Sequence, residues 1–351
     1  MNARFTAILL VLLAVLGGAA LLYQREERAR RPDNVATLGK GLLKDLKAAD
    51  IAAIKIVEPS VSPDATLTLQ RKDDGWVIAE RADFPADLAK VREFVLKLIG
   101  LKVGQSEPLG EKDRARLNLD EPGKGATAGT RVELTRADGS ALGVLTVGRK
   151  YFKREVDNPA KAIADGRFVG LPGEPGTAYL VGDPLTQASA KSAEWIDRTA
   201  FQVEKVKTLE LRYPGGGGWR IERVKDDAAW KLAGAAPGEK LDISRANAAS
   251  YSLSLLELAD VAPKGAADTG LDKPVTIDAT TLAGASYAIK VGKLAGENYY
   301  VSFTAAGIKP DAKDDERTKL LSQHVLLVPK SKLEDTLKRR AELIERKDRK
   351  K

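Results

Sequence analysis

The 351-residue chain contains no cysteine, one histidine (His324) and one methionine, its first residue. Without cysteine there can be no disulfide, no thiol nucleophile, no thiolate-bound zinc or iron–sulfur centre, and no lipid anchor on a cysteine. A single histidine excludes any site built on two or more of them within one chain. Aromatic residues make up only 5% of the sequence. The body also lacks net charge. Residues 1–31 carry five arginines against two glutamates, and residues 330–351 carry ten Lys or Arg against five acids. These two ends hold the whole formal excess of +8, leaving residues 32–329 neutral. A nucleic-acid reader carries its basic patch on the folded body, so no nucleic-acid partner is expected. The basic C-terminal end reads as a solvated face, with anionic lipid headgroups as the alternative contact.

What is present begins at the N-terminus. Residues 5–22 (FTAILLVLLAVLGGAALL) run without a charge. As a helix they would span about 27 Å, close to the ~30 Å hydrocarbon core of a bilayer. Tyr23 and Arg25 follow, an interfacial aromatic and then charge. Gly18-Ala19-Ala20 offers a small-residue cleavage site, but the apolar run continues through Leu21 and Leu22. An uncleaved signal-anchor is therefore expected over a cleaved signal peptide. It would contact membrane lipid through residues 5–22, in a single pass of the cytoplasmic (inner) membrane. The arginines after the span argue against export by the positive-inside rule. Large domains translocate largely regardless of that charge, so the body is expected on the periplasmic side.

The body repeats itself. In the first copy, strands are predicted over 50–57 and 65–71, then an Asp73-Asp74-Gly75 turn and a strand from Trp76. In the second, strands are predicted over 206–212 and 219–224, then an Asp226-Asp227 turn and a strand from Trp230. A helix follows each: 86–99, with Leu88, Val91, Val95 and Leu98 on one face, and 242–256, with Ile243, Ala246, Ala249 and Leu253, Asp242 being its N-cap. Next comes a shared turn, Leu117-Asn-Leu-Asp-Glu-Pro122 and Thr269-Gly-Leu-Asp-Lys-Pro274. Asn118 and Gly270 suit a left-handed residue there, and the proline starts an extended segment. Strands over 130–136 and 141–148 match strands over 275–279 and 286–292, each second strand ending in Val-Gly. Each copy closes with a strand and a helix: 178–181 then 184–191, and 324–328 then from Lys330 onward. Residues 158–166 and 305–317 read as long polar loops, and Gly215 to Gly218 as a flexible hairpin turn.

The fold class expected is α+β: two tandem related units of mostly antiparallel sheet with helices packed on one face, after one N-terminal transmembrane helix. The segments are 1–24 (anchor), 25–44 (juxtamembrane linker), 45–200 and 201–329 (the two units) and 330–351 (basic C-terminal helix or tail).

No catalytic, cofactor-binding or metal-ligating set emerges, and no cofactor is expected. His324 reads as a sheet-face or edge histidine. The Asp73-Asp74 and Asp226-Asp227 pairs read as turn chemistry rather than calcium ligands or acid/base groups, and Asp120 and Asp272 as turn-capping acids. Residues 123–129 (GKGATAG) fit neither phosphate-loop pattern. Trp76, Trp195, Trp219 and Trp230 read as core or hairpin covers, a glycan-stacking role for one of them being the alternative.

The Asp-Gly-Trp hairpin, the L-[GN]-L-D-x-P turn, the strand ending in Val-Gly, and their repetition behind one N-terminal span resemble the bacterial DUF4340 family over roughly residues 40–330. Two positions depart from the pattern: Asn118 stands where glycine is expected, and Ala229 where the first copy has Gly75. The resemblance implies a membrane-anchored protein associated with ABC-2-type export systems of the gliding-motility auxiliary kind, with an ABC-type permease or auxiliary subunit as partner. It brings no catalytic residues. The function expected is therefore a non-enzymatic, membrane-anchored envelope protein acting as an interaction or scaffold subunit. A glycan- or cell-wall-binding envelope module is the alternative, and a carboxylate-based hydrolase the third.

Overall fold

The computed structural model describes residues 38–59, 65–73, 75–307 and 312–345. The charge-free run 5–22, Asp74 and the basic residues 346–351 lie outside the described residues. Two compact units are formed. The first holds the described part of Met1–Trp76 together with Leu88–Lys191, and the second Val77–Asp87 together with the described part of Ser192–Lys351.

In chain order the strands are β1 (Ala53–Val57), β2 (Thr66–Lys72), β3 (Gly75–Ile78) and β4 (Phe84–Pro85). Helix α1 (Leu88–Gly100), β5 (Val103–Pro108), α2 (Glu111–Arg116), β6 (Thr130–Thr135), β7 (Ala141–Tyr151), β8 (Gly166–Gly170) and β9 (Thr177–Val181) follow. The second series is β10 (Val206–Arg212), β11 (Gly218–Glu222), β12 (Lys231–Leu232), α3 (Ile243–Tyr251), β13 (Asp260–Val261), β14 (Val275–Thr281), β15 (Ser286–Ala295), β16 (Asn298–Ala306), α4 (Ala312–Ser322), β17 (Leu326–Pro329) and α5 (Lys330–Leu333).

One sheet runs β4-β3-β2-β1-β6-β7-β8-β9-β5 and the other β12-β11-β10-β14-β15-β16-β17-β13. Apart from β4, the two orders superimpose strand for strand. The described ladders are antiparallel. Register repeats too. Ile54 faces Leu69 and Leu134, and Leu209 faces Ile221 and Ala279, all buried. The period-2 alternation of the sequence puts these rows inward and Lys55 outward. The expected weight of helix is not reached: the chain is predominantly β, two antiparallel sheets with a few helices.

Three expectations need correction. Residues 184–191 form no helix. Leu185 has φ 48° and donates its N–H to Asp183 Oδ1 at 2.7 Å, while the Ala190 N–H goes to Glu58 Oε1 at 2.8 Å. The Ala190 N–H, which a helix over these residues would use internally, is thus taken by a carboxylate, and Leu185 is left-handed. Within the expected loop 305–317, residues 312–317 belong to α4, whose charged sequence has no apolar stripe to reveal it, and Ala305 and Ala306 end β16. The apolar faces are shifted as well. Leu88 and Ile243, each in a first turn, are 39% and 41% exposed, while Phe94 is fully buried beside Val91, Val95 and Leu98. Asp242 does cap α3, accepting from the Arg245 N–H at 3.2 Å.

The shared turn explains itself in three dimensions. After α2, Leu119 N–H reaches Arg114 O at 2.9 Å and Asn118 N–H reaches Ala115 O at 3.2 Å, with Asn118 left-handed at φ 54°. This is the 6→1, 5→2 pattern that closes a helix C-terminus. Gly270 takes the equivalent left-handed position at φ 71°. Each turn then lies directly on a Val-Gly pair, which does not end its strand as expected but sits at a register irregularity within β7 or β15. Arg149 N–H donates to Leu117 O at 2.7 Å, and Lys293 N–H to Thr269 O at 2.8 Å. A Cβ on Gly148 would overlap Leu117 O, and one on Gly292 would overlap Thr269 O. The two motifs recognised as separate in the sequence are the two sides of one backbone crossing.

Gly148→Ala and Gly292→Ala are each expected to destabilise their unit by about 3 kcal/mol, because backbone rather than a mobile side chain blocks the new methyl. Gly182→Ala, with open space at its Cβ and no positive φ, is expected to stay near wild type. Thermal denaturation of the three variants checks this.

Candidate functional site

A pocket of about 700 Å³ lies in the second unit beside α3. Its wall is built from the β11–β12 hairpin. Trp230 is buried and donates its indole N–H to Asn247 Oδ1 on α3 at 2.9 Å. The Arg223 guanidinium stacks over the Trp230 ring at 4.6 Å and donates from Nε to Val206 O at 2.7 Å. Its Nη2 pairs with Asp226 at 2.7 Å. The rim carries Tyr251 and Leu255, which are 64% and 47% exposed. The pocket thus offers an exposed aromatic ring and an aliphatic edge beside the Arg223–Asp226 ion pair, with Glu204 and Lys205 also lining it.

The adjacent acids of the Asp226-Asp227 turn diverge. Asp226 pairs with Arg223, and Asp227 pairs with exposed Lys225 at 3.1 Å. Each carboxylate already has a cation, so they do not form a shared acid/base or calcium site. Asp73 sits in the corresponding turn with φ 47°, next to Asp74 outside the described residues. Asp120 acts through its backbone, donating to Thr127 O and accepting from the Gly129 N–H. Asp272 lies near Lys293, whose ammonium pairs with Asp268 and is held above its ordinary pKa chiefly by that hydrogen bond. The stretch 123–129 is tied to Asn118, whose side-chain amide donates to Ala126 O at 2.7 Å. Among the described residues no group of three His, Asp or Glu is placed to hold a metal ion.

His324 lies in the turn before β17, not on the strand as expected. Its Nδ1 is 2.9 Å from Leu320 O, its Nε2 3.4 Å from Ala82 O, and its ring packs edge-on against Phe84. Arg317 covers the same Phe84 ring at 5.9 Å and donates to the Asp197 and Thr199 carbonyls. Burial pushes the Arg317 guanidinium below its usual pKa, with Asp197 acting in the opposite direction. These contacts are those of a packing histidine.

Trp195, Trp219 and Trp230 are all interior, and Trp219 donates its indole N–H to Lys338 O at 2.7 Å. None of the three presents a ring face for a glycan. Trp76 is half-buried. The side chains on which the sequence concentrates attention are structural; the exposed Tyr251 rim carries no signature in one sequence, because a surface tyrosine after a helical run looks ordinary.

A model of the family described as Domain of unknown function (DUF4340) matches residues 76–274, more than half of the chain. The chain belongs to the DUF4340 family. The match opens at the first hairpin tryptophan and ends at the proline of the second L-D-x-P turn, so it spans both of those turns in this DUF4340 protein. No curated protein and no solved structure matches it. Among the described residues no helix is long and apolar enough to cross a membrane.

One further cluster is built of buried charge. Arg81 and Asp260, both within the second unit, pair at 3.1 Å, and Ser192 Oγ donates to the same Asp260 oxygen. Beside it the Lys264 N–H reaches Glu80 O at 3.1 Å. The segment Val77–Asp87 is thereby fastened to β13.

Two variants separate these roles. Asp260→Ala is expected to lower the stability of the second unit by about 3 kcal/mol, since it removes the carboxylate paired with the largely buried Arg81. Trp230→Phe is expected to cost about 1–2 kcal/mol through the lost indole hydrogen bond and cation contact. Urea denaturation followed by fluorescence and by circular dichroism measures both.

Proposed function

We propose that this protein is a non-enzymatic, membrane-tethered interaction subunit whose body stands on the periplasmic side of the cytoplasmic membrane. Its proposed partner is the permease or an auxiliary subunit of an ABC-2-type export system. The observation that carries the proposal is the charge-free run 5–22 ahead of two units that repeat one strand order. A duplicated sheet offers a broad surface made twice, while Asp226 in the second-unit pocket is committed to an ion pair with Arg223. Membership in the DUF4340 family supports the family association, and the association with export systems follows from the resemblance.

The absence of cysteine makes a direct test available. Ala137→Cys places a single thiol in the exposed turn after β6. The full-length protein is expected in the membrane fraction, labelled by a membrane-impermeant maleimide in intact spheroplasts, and recovered in detergent with an ABC-type permease. Deletion of residues 5–22 is expected to release it to the soluble fraction. A full-length chain that is already soluble, or one labelled only after lysis, would refute the tether or its orientation respectively.

A further inference from the structure

A second pocket, of about 410 Å³, lies within the first unit. Its wall includes Arg149, Lys150 and Arg167 with the apolar atoms of Val147, Phe152 and Ala160, and none of its described lining residues is acidic. Lys150 on β7 and Arg167 on β8 are direct cross-strand partners. Like charges placed so are mutually destabilising. Lys150 is compensated, donating from Nζ to the carbonyls of Pro159, Ala160 and Ala162 at 3.2, 3.0 and 3.2 Å. Arg167 is not: its Nε is buried and has no hydrogen-bond partner among the described residues. Nor does any described carboxylate pair with Arg149 or Arg167. Burial alone pushes the Arg167 pKa below its ordinary value, and a buried donor left unmade is costly.

The second unit serves as an internal control. There β15 and β16 meet with the same irregularity of register: Val291 pairs with Val301, and pairing resumes at Leu294 with Tyr299. In the first unit Val147 pairs with Val169, and pairing resumes at Lys150 with Arg167. By this alignment Lys150 corresponds to Leu294, Arg167 to Tyr299, and Arg149 to Lys293. The fold therefore makes this corner without the cation pair. Where it does keep a cation, at Lys293, it supplies Asp268 as partner.

We propose that the first-unit pocket is a binding site for an oxyanion, a phosphate or carboxylate group held between Arg149 and Arg167. The planar guanidinium fork, with a buried Nε donor still to be used, matches two oxygens of such a group. The apolar wall accommodates the remainder of a small ligand. The site is independent of the tether: it stands or falls on the first unit alone.

Calorimetric titration of the full chain in detergent tests it, with inorganic phosphate and acetate as separate probes at constant ionic strength. Saturable binding near the millimolar range is expected for at least one probe, accompanied by a rise in melting temperature. Response to phosphate alone assigns a phosphate ligand, and response to acetate alone a carboxylate. Arg167→Gln and the exposed Arg149→Gln are each expected to weaken binding about tenfold. Arg167→Tyr, which installs the side chain found at the equivalent place in the second unit, is expected to fold and not to bind. No saturable signal from either probe up to about 50 mM, or affinity unchanged in Arg149→Gln, would overturn the assignment. Should Arg167→Gln fail to fold, Arg149→Gln decides, because its side chain is at the surface.

Discussion

Each unit depends on the crossing of the shared turn over β7 or β15, where two stretches of backbone pass closer than a side chain allows. Gly148 and Gly292 stand under the carbonyls of Leu117 and Thr269, and the next residue closes the crossing with a hydrogen bond. The turn must present a carbonyl downward, which requires the left-handed residue that follows, Asn118 or Gly270. Pro274 then leads straight into β14, whereas Pro122, where an extended segment is also expected, is followed by a turn and a 3-10 helix over Gly125–Thr127 before β6 begins at Thr130. The crossing is thereby set by main-chain geometry rather than by the size of particular core side chains, and it falls where the pairing of β7 with β8 and of β15 with β16 slips. This explains why the motif survives twice in one chain while the residues packed around it differ.

On that scaffold the units diverge in their charges. The second unit neutralises its interior cations: Arg81 with Asp260, Arg223 with Asp226, and Arg340 with Glu239 through two guanidinium contacts. Even residues 330–345, basic in sequence, are bound into the second unit. Tyr213 donates to Leu337 O, Trp219 donates to Lys338 O, and Leu333 and Leu343 are buried. The first unit leaves Arg149 and Arg167 without a described carboxylate beside them. One backbone plan thus carries a balanced version and an unbalanced one, and the unbalanced one is where a ligand would be stabilising.

The sequence by itself determined the duplication, the period of the central strands, the N-cap Asp242 and the left-handed positions Asn118 and Gly270. All of these follow from local rules: alternation by two, capping chemistry and the φ limits of single residues. Only the tertiary structure decided where residues distant in the chain meet. It placed Gly148 beneath Leu117, set Arg167 opposite Lys150, assigned Val77–Asp87 to the second unit and buried three of the four tryptophans. It also replaced the expected helix over 184–191 with turns, where Glu58, far away in sequence, takes the Ala190 N–H and the Ser189 hydroxyl. Such outcomes depend on long-range geometry, and a cation looks the same in one sequence whether or not a carboxylate will reach it.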